Sequence, residues 1–191
     1  METSAVLRLE KYFLRNGILL CNENAFLPSL YDVGGDWNAI VTLMERGQVF
    51  YSKFFRNRVT YLSAGLYWQL KPYRQRETQI SPDAARAYAA IAALGQATAQ
   101  QVQDLLLLSK KACTACMDEL FSQLLVTVNC RERTIAENWC TFYFAPNLVW
   151  EQKPGAIAAF CQPDADIARE MLSPYYSARE LDGLLESGTK K

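Results

Sequence analysis

The spacing of apolar positions along this chain changes several times, and each change marks an element. Val6, Leu7, Leu9, Phe13 and Leu14 fall near a helical repeat, which predicts a helix over 3–15 with Gly17 ending it. A loop with Asn22, Asn24, Pro28, Gly34 and Gly35 follows. Asp36 then reads as the cap of a second helix, from Trp37 to Arg46, which Gly47 closes. After Gly47 the pattern turns to strand: one from Gln48 to Phe55, a turn at Arg56 and Asn57, and a returning strand from Arg58 to Ser63. A short helical piece follows over 64–70, with Pro72 expected to stop it.

Residues 73–80 are polar and charged, and the sequence divides there. Ser81 and Pro82 open a new helix, as N-cap and first-turn proline, and Gly95 ends it. Thr98 and Gln101 have the spacing of a capping box for the next helix, and Ser109 caps a third that runs to about Leu124. Leu125–Val128 reads as a strand, 129–138 as a polar loop, and 139–145 as a second strand. Three helices and then a two-stranded hairpin is the order of a winged helix-turn-helix. The expected class is therefore α+β, a tandem winged helix. Its parts are a helix and β-hairpin unit over 1–77, a complete winged helix-turn-helix over 78–152, and a helical tail over 153–191. Pro154 and Gly155 mark the last break, and Ser177 to Leu185 reads as the final short helix.

Composition narrows the chemistry. The chain has no histidine, so a Ser-His-Asp triad, a Cys-His dyad and a histidine-ligated zinc or haem site are excluded. Acid–base work would fall to Asp, Glu, Lys, Tyr or Cys. No pair of carboxylates in the first half has a spacing that points to such a role. The N-terminus lacks the basic and apolar regions of a secretory signal, and no apolar run is long enough to span a bilayer. A cytoplasmic protein with reduced cysteines is expected. Cys113 and Cys116, with Cys130 and Cys140, could be counted as a zinc set. Cys113 and Cys116 also lie on the inner stripe of their helix with Leu120 and Leu124, as core cysteines would. No cofactor is expected.

Charge is balanced, at 20 basic and 20 acidic residues, but it is not evenly spread. From Arg46 to Arg76 the chain carries basic residues and no acid, with Phe50, Tyr51, Phe54, Phe55, Tyr61, Tyr67, Trp68 and Tyr73 interleaved. A basic hairpin can hold phosphates and exposed aromatics can stack on bases. The alternative is an aromatic core with the cations paired to acids elsewhere. The candidate nucleic-acid contacts are Lys53, Arg56, Arg58, Arg74 and Arg76 in the first half. In the second half they are Lys110 and Lys111 on the third helix and Arg131 and Arg133 on the hairpin. Outward positions of that third helix are read as Lys110, Lys111, Thr114, Ala115, Asp118 and Ser122. Acids outnumber bases between Ser81 and Glu151, which leaves a protein-contact or homodimer role open.

The run from Trp37 to Ser52, continued from Arg56 to Leu62, resembles a block of the AlkZ-like winged-helix DNA glycosylases. There a tryptophan precedes a leucine-striped helix, and a glycine leads into a strand, a basic turn and an aromatic strand. Residues 81–151 are also similar to a later domain of that family. The resemblance implies a tandem winged-helix fold and double-stranded DNA as partner. Members excise alkylated bases with a Gln-x-Gln motif that positions water. In this chain Gln101 and Gln103 have that spacing, but they fall in the helix-turn-helix rather than near the N-terminus, and the chain is about half the usual family length. The reading is a DNA-binding relative without catalytic activity. The alternatives are an active glycosylase and a protein-protein adaptor.

Overall fold

The computed structural model describes residues 3–76, 80–136, 139–152 and 162–185. Among them the chain is an α+β protein with two small antiparallel sheets. Helix α1 (Ser4–Phe13) is capped by the Thr3 hydroxyl, and α2 (Trp37–Glu45) by the Asp36 carboxylate, which accepts from Ala39 N at 2.8 Å. Each cap satisfies a helix-end N–H that has no partner within the helix. Gly47 leaves α2 at φ +70, in the left-handed region that glycine enters without a Cβ penalty. Gly17, expected as a helix terminator, does not have a positive φ. It lies where a Cβ would stand 2.7 Å from Leu66 Cδ2, so close packing is what requires it.

The first sheet holds β1 (Ile18–Leu20), β2 (Val49–Ser52) and β3 (Thr60–Ser63), in the order β1-β3-β2. The short buried β1 was not expected. Its three apolar residues follow Gly17 without the alternation that marks a half-exposed strand. The turn between β2 and β3 places Arg56 and Asn57 at φ 49 and 56, with Arg58 N donating to Phe55 O at 2.9 Å. That is a turn with both central residues left-handed.

Helix α3 (Ala64–Arg76) runs through Pro72, where the sequence predicted a stop. The segment is anchored on both sides of the proline. Leu66, Tyr67, Trp68 and Leu70 are buried before it, and Arg74 donates to Ser122 O at 3.2 Å after it. Tertiary anchoring thus offsets the one helical hydrogen bond that proline removes.

The second half begins with α4 (Pro82–Leu94), α5 (Ala99–Leu106) and α6 (Lys110–Ser122). They are capped by Ser81, Thr98 and Ser109, and the capping box at Thr98 and Gln101 is present. These helices close on Ala84, Ala87, Ile91, Val102, Cys113, Cys116 and Leu120. Two strands follow, β4 (Val126–Ala136) and β5 (Trp139–Pro146). The predicted polar loop over 129–138 is mostly strand. β4 skips a residue at three points in its register with β5, and these irregularities break the apolar alternation that a strand reading needs. Between α4 and α5, Ala97 forms an antiparallel bridge to Phe144, so the ribbon is tied back onto the helices.

A short helix α7 (Asn147–Glu151), then α8 (Ala165–Leu172) and α9 (Ala178–Leu185), are the remaining elements among the described residues. Pro154 and Gly155 lie outside the described residues. The three sequence segments share their cores. Ile18, Phe50, Tyr67 and Leu70 pack with Leu124, Trp150, Leu172 and Leu185. Leu9, Ile40 and Met44 pack with Val128 and Cys140.

Candidate nucleic-acid interface

The aromatic residues of the basic segment face inward. Phe50, Phe54, Phe55, Tyr61, Tyr67 and Trp68 are all buried, and Phe50 stacks on Tyr67 with ring centroids 4.3 Å apart. They form the core of the first half, so they offer no stacking platform to a base.

Many of the cations between them are held by the protein itself. Lys53 Nζ lies 2.6 Å from Asp118 Oδ1 on α6. Arg56 covers the ring of Phe26 at 4.3 Å and pairs with Glu180 of α9 at 3.7 Å. Lys71 pairs with Glu151, and burial lowers its pKa below the usual lysine range. Arg74 reaches the carbonyl of Ser122 and lies over Phe54 at 5.7 Å. Arg131 grips Glu45 of α2 through its backbone N, Nε and Nη2, the last at 3.2 Å from Oε2. Arg76 closes α3, and its side chain lies outside the described residues.

Sequence reasoning did not identify Asp118, Glu180, Glu151 or Glu45 as the partners. No local spacing could have done so, since the contact of Arg131 with Glu45 spans 86 residues.

Four candidates differ. Arg58, Lys110, Lys111 and Arg133 are exposed, and their side chains meet no acid among the described residues. Lys110 and Lys111 occupy the first turn of α6, where the Ser109 hydroxyl accepts from Ala112 N at 3.2 Å. The positive end of the helix dipole lies at this turn, which adds to the attraction for an anion. Thr114 and Ala115 are exposed on the same helix, as read from the sequence. Asp118 and Ser122 are half-buried. Arg133 projects from β4 beside Glu132, along a cleft of about 590 Å3 between the start of α5 and strand β5.

The cysteines sit in two different places. Cys113 and Cys116 are buried among the helices, with Cys113 Sγ 3.4 Å from Ala99 O. Burial raises both thiols above their usual pKa. Cys140 packs instead against α2 with Trp37 and Phe142, in a separate cluster. Among the described residues no group of three or more Cys, Asp or Glu is placed to hold a metal ion. The Gln101 side chain accepts from Thr98 N at 2.8 Å, so it serves as the helix cap, and Gln103 is half-buried. Among the described residues no helix is long and apolar enough to cross a membrane.

No protein-family model matches this chain, and no curated protein or solved structure matches it.

Proposed function

We propose that residues 80–152 form a winged helix-turn-helix that binds duplex DNA. In this reading α6 is the recognition helix and the β4–β5 ribbon is the wing. The observation that carries it is the exposed pair Lys110 and Lys111 on the capped first turn of α6, free of acidic partners among the described residues. The order of three helices and a ribbon supports the same reading, as does the bridge from Ala97 to Phe144. Arg133 on the wing and Arg58 on the hairpin add exposed charge. Lys53, Arg56, Arg74 and Arg131 serve here chiefly as internal ties between elements.

The AlkZ-like resemblance of the sequence is consistent with a DNA-binding role, and the reading assigns no catalysis. The excess of acids over bases in the second half, and the internal pairing of the hairpin cations, favour a protein-contact adaptor as the second reading. Binding of a fluorescent duplex by the purified chain distinguishes the two. Micromolar binding that Lys110→Glu/Lys111→Glu abolishes supports the DNA reading. Absence of binding at low salt refutes it and leaves the adaptor.

A further inference from the structure

Among the described residues, only the N-terminal half of α6 stands clear of the fold. Further along the helix, other elements occupy its polar groups. Asp118 holds Lys53 Nζ at 2.6 Å, and Lys53 N donates to Phe121 O at 3.4 Å. Glu119 accepts from Ser81 N and Ser81 Oγ, at 2.8 and 2.6 Å. Arg74 donates to Ser122 O at 3.2 Å. The inner side carries Cys113, Cys116, Met117, Leu120 and Phe121, all buried. The exposed residues of the helix are Lys110, Lys111, Thr114 and Ala115. Lys111 is three positions before Thr114 and four before Ala115, so these side chains share one face.

That face is chemically narrow. Paired hydrogen bonds read a base through arginine or lysine on guanine, or asparagine or glutamine on adenine, and a carboxylate reads cytosine. Apart from the two lysines, none of these side chains is exposed on α6. The lysines occupy the first turn, beside the helix-end N–H groups, where phosphate is the fitting partner. One turn further in, Thr114 and Ala115 present two methyl groups and one hydroxyl. In the major groove the matching apolar group is the C5-methyl of thymine, which contacts alanine and the threonine methyl. 5-Methylcytosine carries the same methyl at the same ring position. The threonine hydroxyl both donates and accepts, so it suits the O4 acceptor of thymine and the N4 donor of cytosine alike.

We propose that Thr114 and Ala115 are the base-reading residues of α6, and that they read the C5-methyl group of a pyrimidine in the major groove. The proposal rests on the DNA-binding reading of α6, and adds to it the feature of the duplex that is recognised. Removing the thymine methyl leaves every hydrogen-bonding group of the base pair in place, so it isolates the apolar contact. Burying one methyl group changes affinity by about fourfold, and burying two by about fifteenfold. A helix with this face favours methyl-bearing tracts over one exact sequence.

The test is titration of the full chain, at low salt, into fluorescent duplexes that differ only in methyl groups. One pair is an alternating A·T duplex and the same duplex with uracil in place of thymine. The other is a G·C duplex with cytosine or with 5-methylcytosine. The chain should bind the thymine duplex about four- to fifteenfold more tightly than the uracil duplex, and the 5-methylcytosine duplex more tightly than its cytosine counterpart. Thr114→Ser deletes one methyl and keeps the hydroxyl, and Ala115→Gly deletes the other. Circular dichroism checks that each variant is folded. Each should reduce both preferences, and the double variant should bind the members of each pair alike. A preference within the A·T pair alone supports the methyl contact and confines it to thymine. Equal binding with and without methyl groups would overturn the proposal and leave the DNA reading standing. So would a preference that Thr114→Ser and Ala115→Gly leave unchanged. Absence of binding to every duplex refutes the DNA reading itself, and the proposal falls with it.

Discussion

The hydroxyl of Tyr67 donates to Oδ1 of Asn147 at 2.6 Å, across 80 residues of sequence. Both side chains are buried, and the Asn147 amide in turn donates to the carbonyl of Leu124. Leu124 has φ +54, so the chain makes a left-handed turn where α6 gives way to β4. The three residues tie α3, the exit of α6 and the start of α7 into one network. Burial and the cost of ionising inside it raise the Tyr67 phenol well above its ordinary pKa. Tyr67→Phe leaves a buried amide oxygen short of its donor and should cost about 1–3 kcal/mol of stability. Asn147→Ala removes both bonds and should cost more. Urea unfolding of each variant measures this, as a lower midpoint with unchanged slope.

The pair Lys53 and Asp118 joins the first hairpin to α6, with side chains 18% and 25% exposed. Lys53→Ala should destabilise the chain by about 1 kcal/mol or less, as partly exposed ion pairs do. The reversed pair, Lys53→Asp with Asp118→Lys, should recover part of that loss relative to either single change. A double-mutant cycle on thermal midpoints reads the coupling. In DNA binding, Lys53→Ala should leave affinity nearly unchanged if this lysine is an internal tie.

Gly47 turns the chain from α2 into β2 at φ +70, and a Cβ there would stand 2.5 Å from Trp150 Cζ3. Gly47→Ala combines an unfavourable backbone region with overpacking against a buried ring. A loss of at least about 2 kcal/mol is expected. Gly65 and Gly183, where an added Cβ meets nothing within 4 Å, should accept alanine with little or no loss. Comparing the three by chemical denaturation separates close approach from glycine content.

Two carboxylates give the pH dependence. The Ser29 backbone N–H and hydroxyl bond Asp32, at 2.8 and 2.7 Å, and hold its pKa below the ordinary 3.8. The hydroxyl and N–H of Ser177 hold Glu180 below its ordinary 4.5. A folded pKa below the unfolded one means that the unfolded chain binds more protons in that window. The contribution is therefore fully present above about pH 5 and is lost as pH falls through the folded values. Asp32→Asn and Glu180→Gln should lower the melting temperature near neutrality and change it little at the acid end, so the acid side of the curve against pH flattens.

Much of the second half was legible because its signals are local. Ser81-Pro82, Thr98 with Gln101, Ser109 and Gly95 sit where caps and terminators are needed, and each does that work in the structure. Asp36 and Gly47 were legible for the same reason. The misses follow from long-range contacts. β1 is a strand because β3 lies beside it, and α3 passes Pro72 because packing on both sides holds it. β4 was hidden by its bulges and by three consecutive charged residues, at 131–133. The candidate site divides in the same way. Lys110 and Lys111 were placed by the Ser109 cap, and they are exposed as read. Lys53 and Arg131 were read by charge alone, and their partners on α6 and α2 come from the tertiary fold.

The most direct test of the DNA reading is the slope of binding affinity against salt. Each phosphate that a lysine neutralises releases counterions, so log K falls linearly with log salt concentration. The wild-type chain should bind a duplex with a steep slope. Lys110→Ala/Lys111→Ala should reduce that slope by about two phosphate contacts, and Lys53→Ala should leave it unchanged. A slope near zero, or one that the α6 substitutions do not alter, would contradict α6 as the DNA-contacting helix.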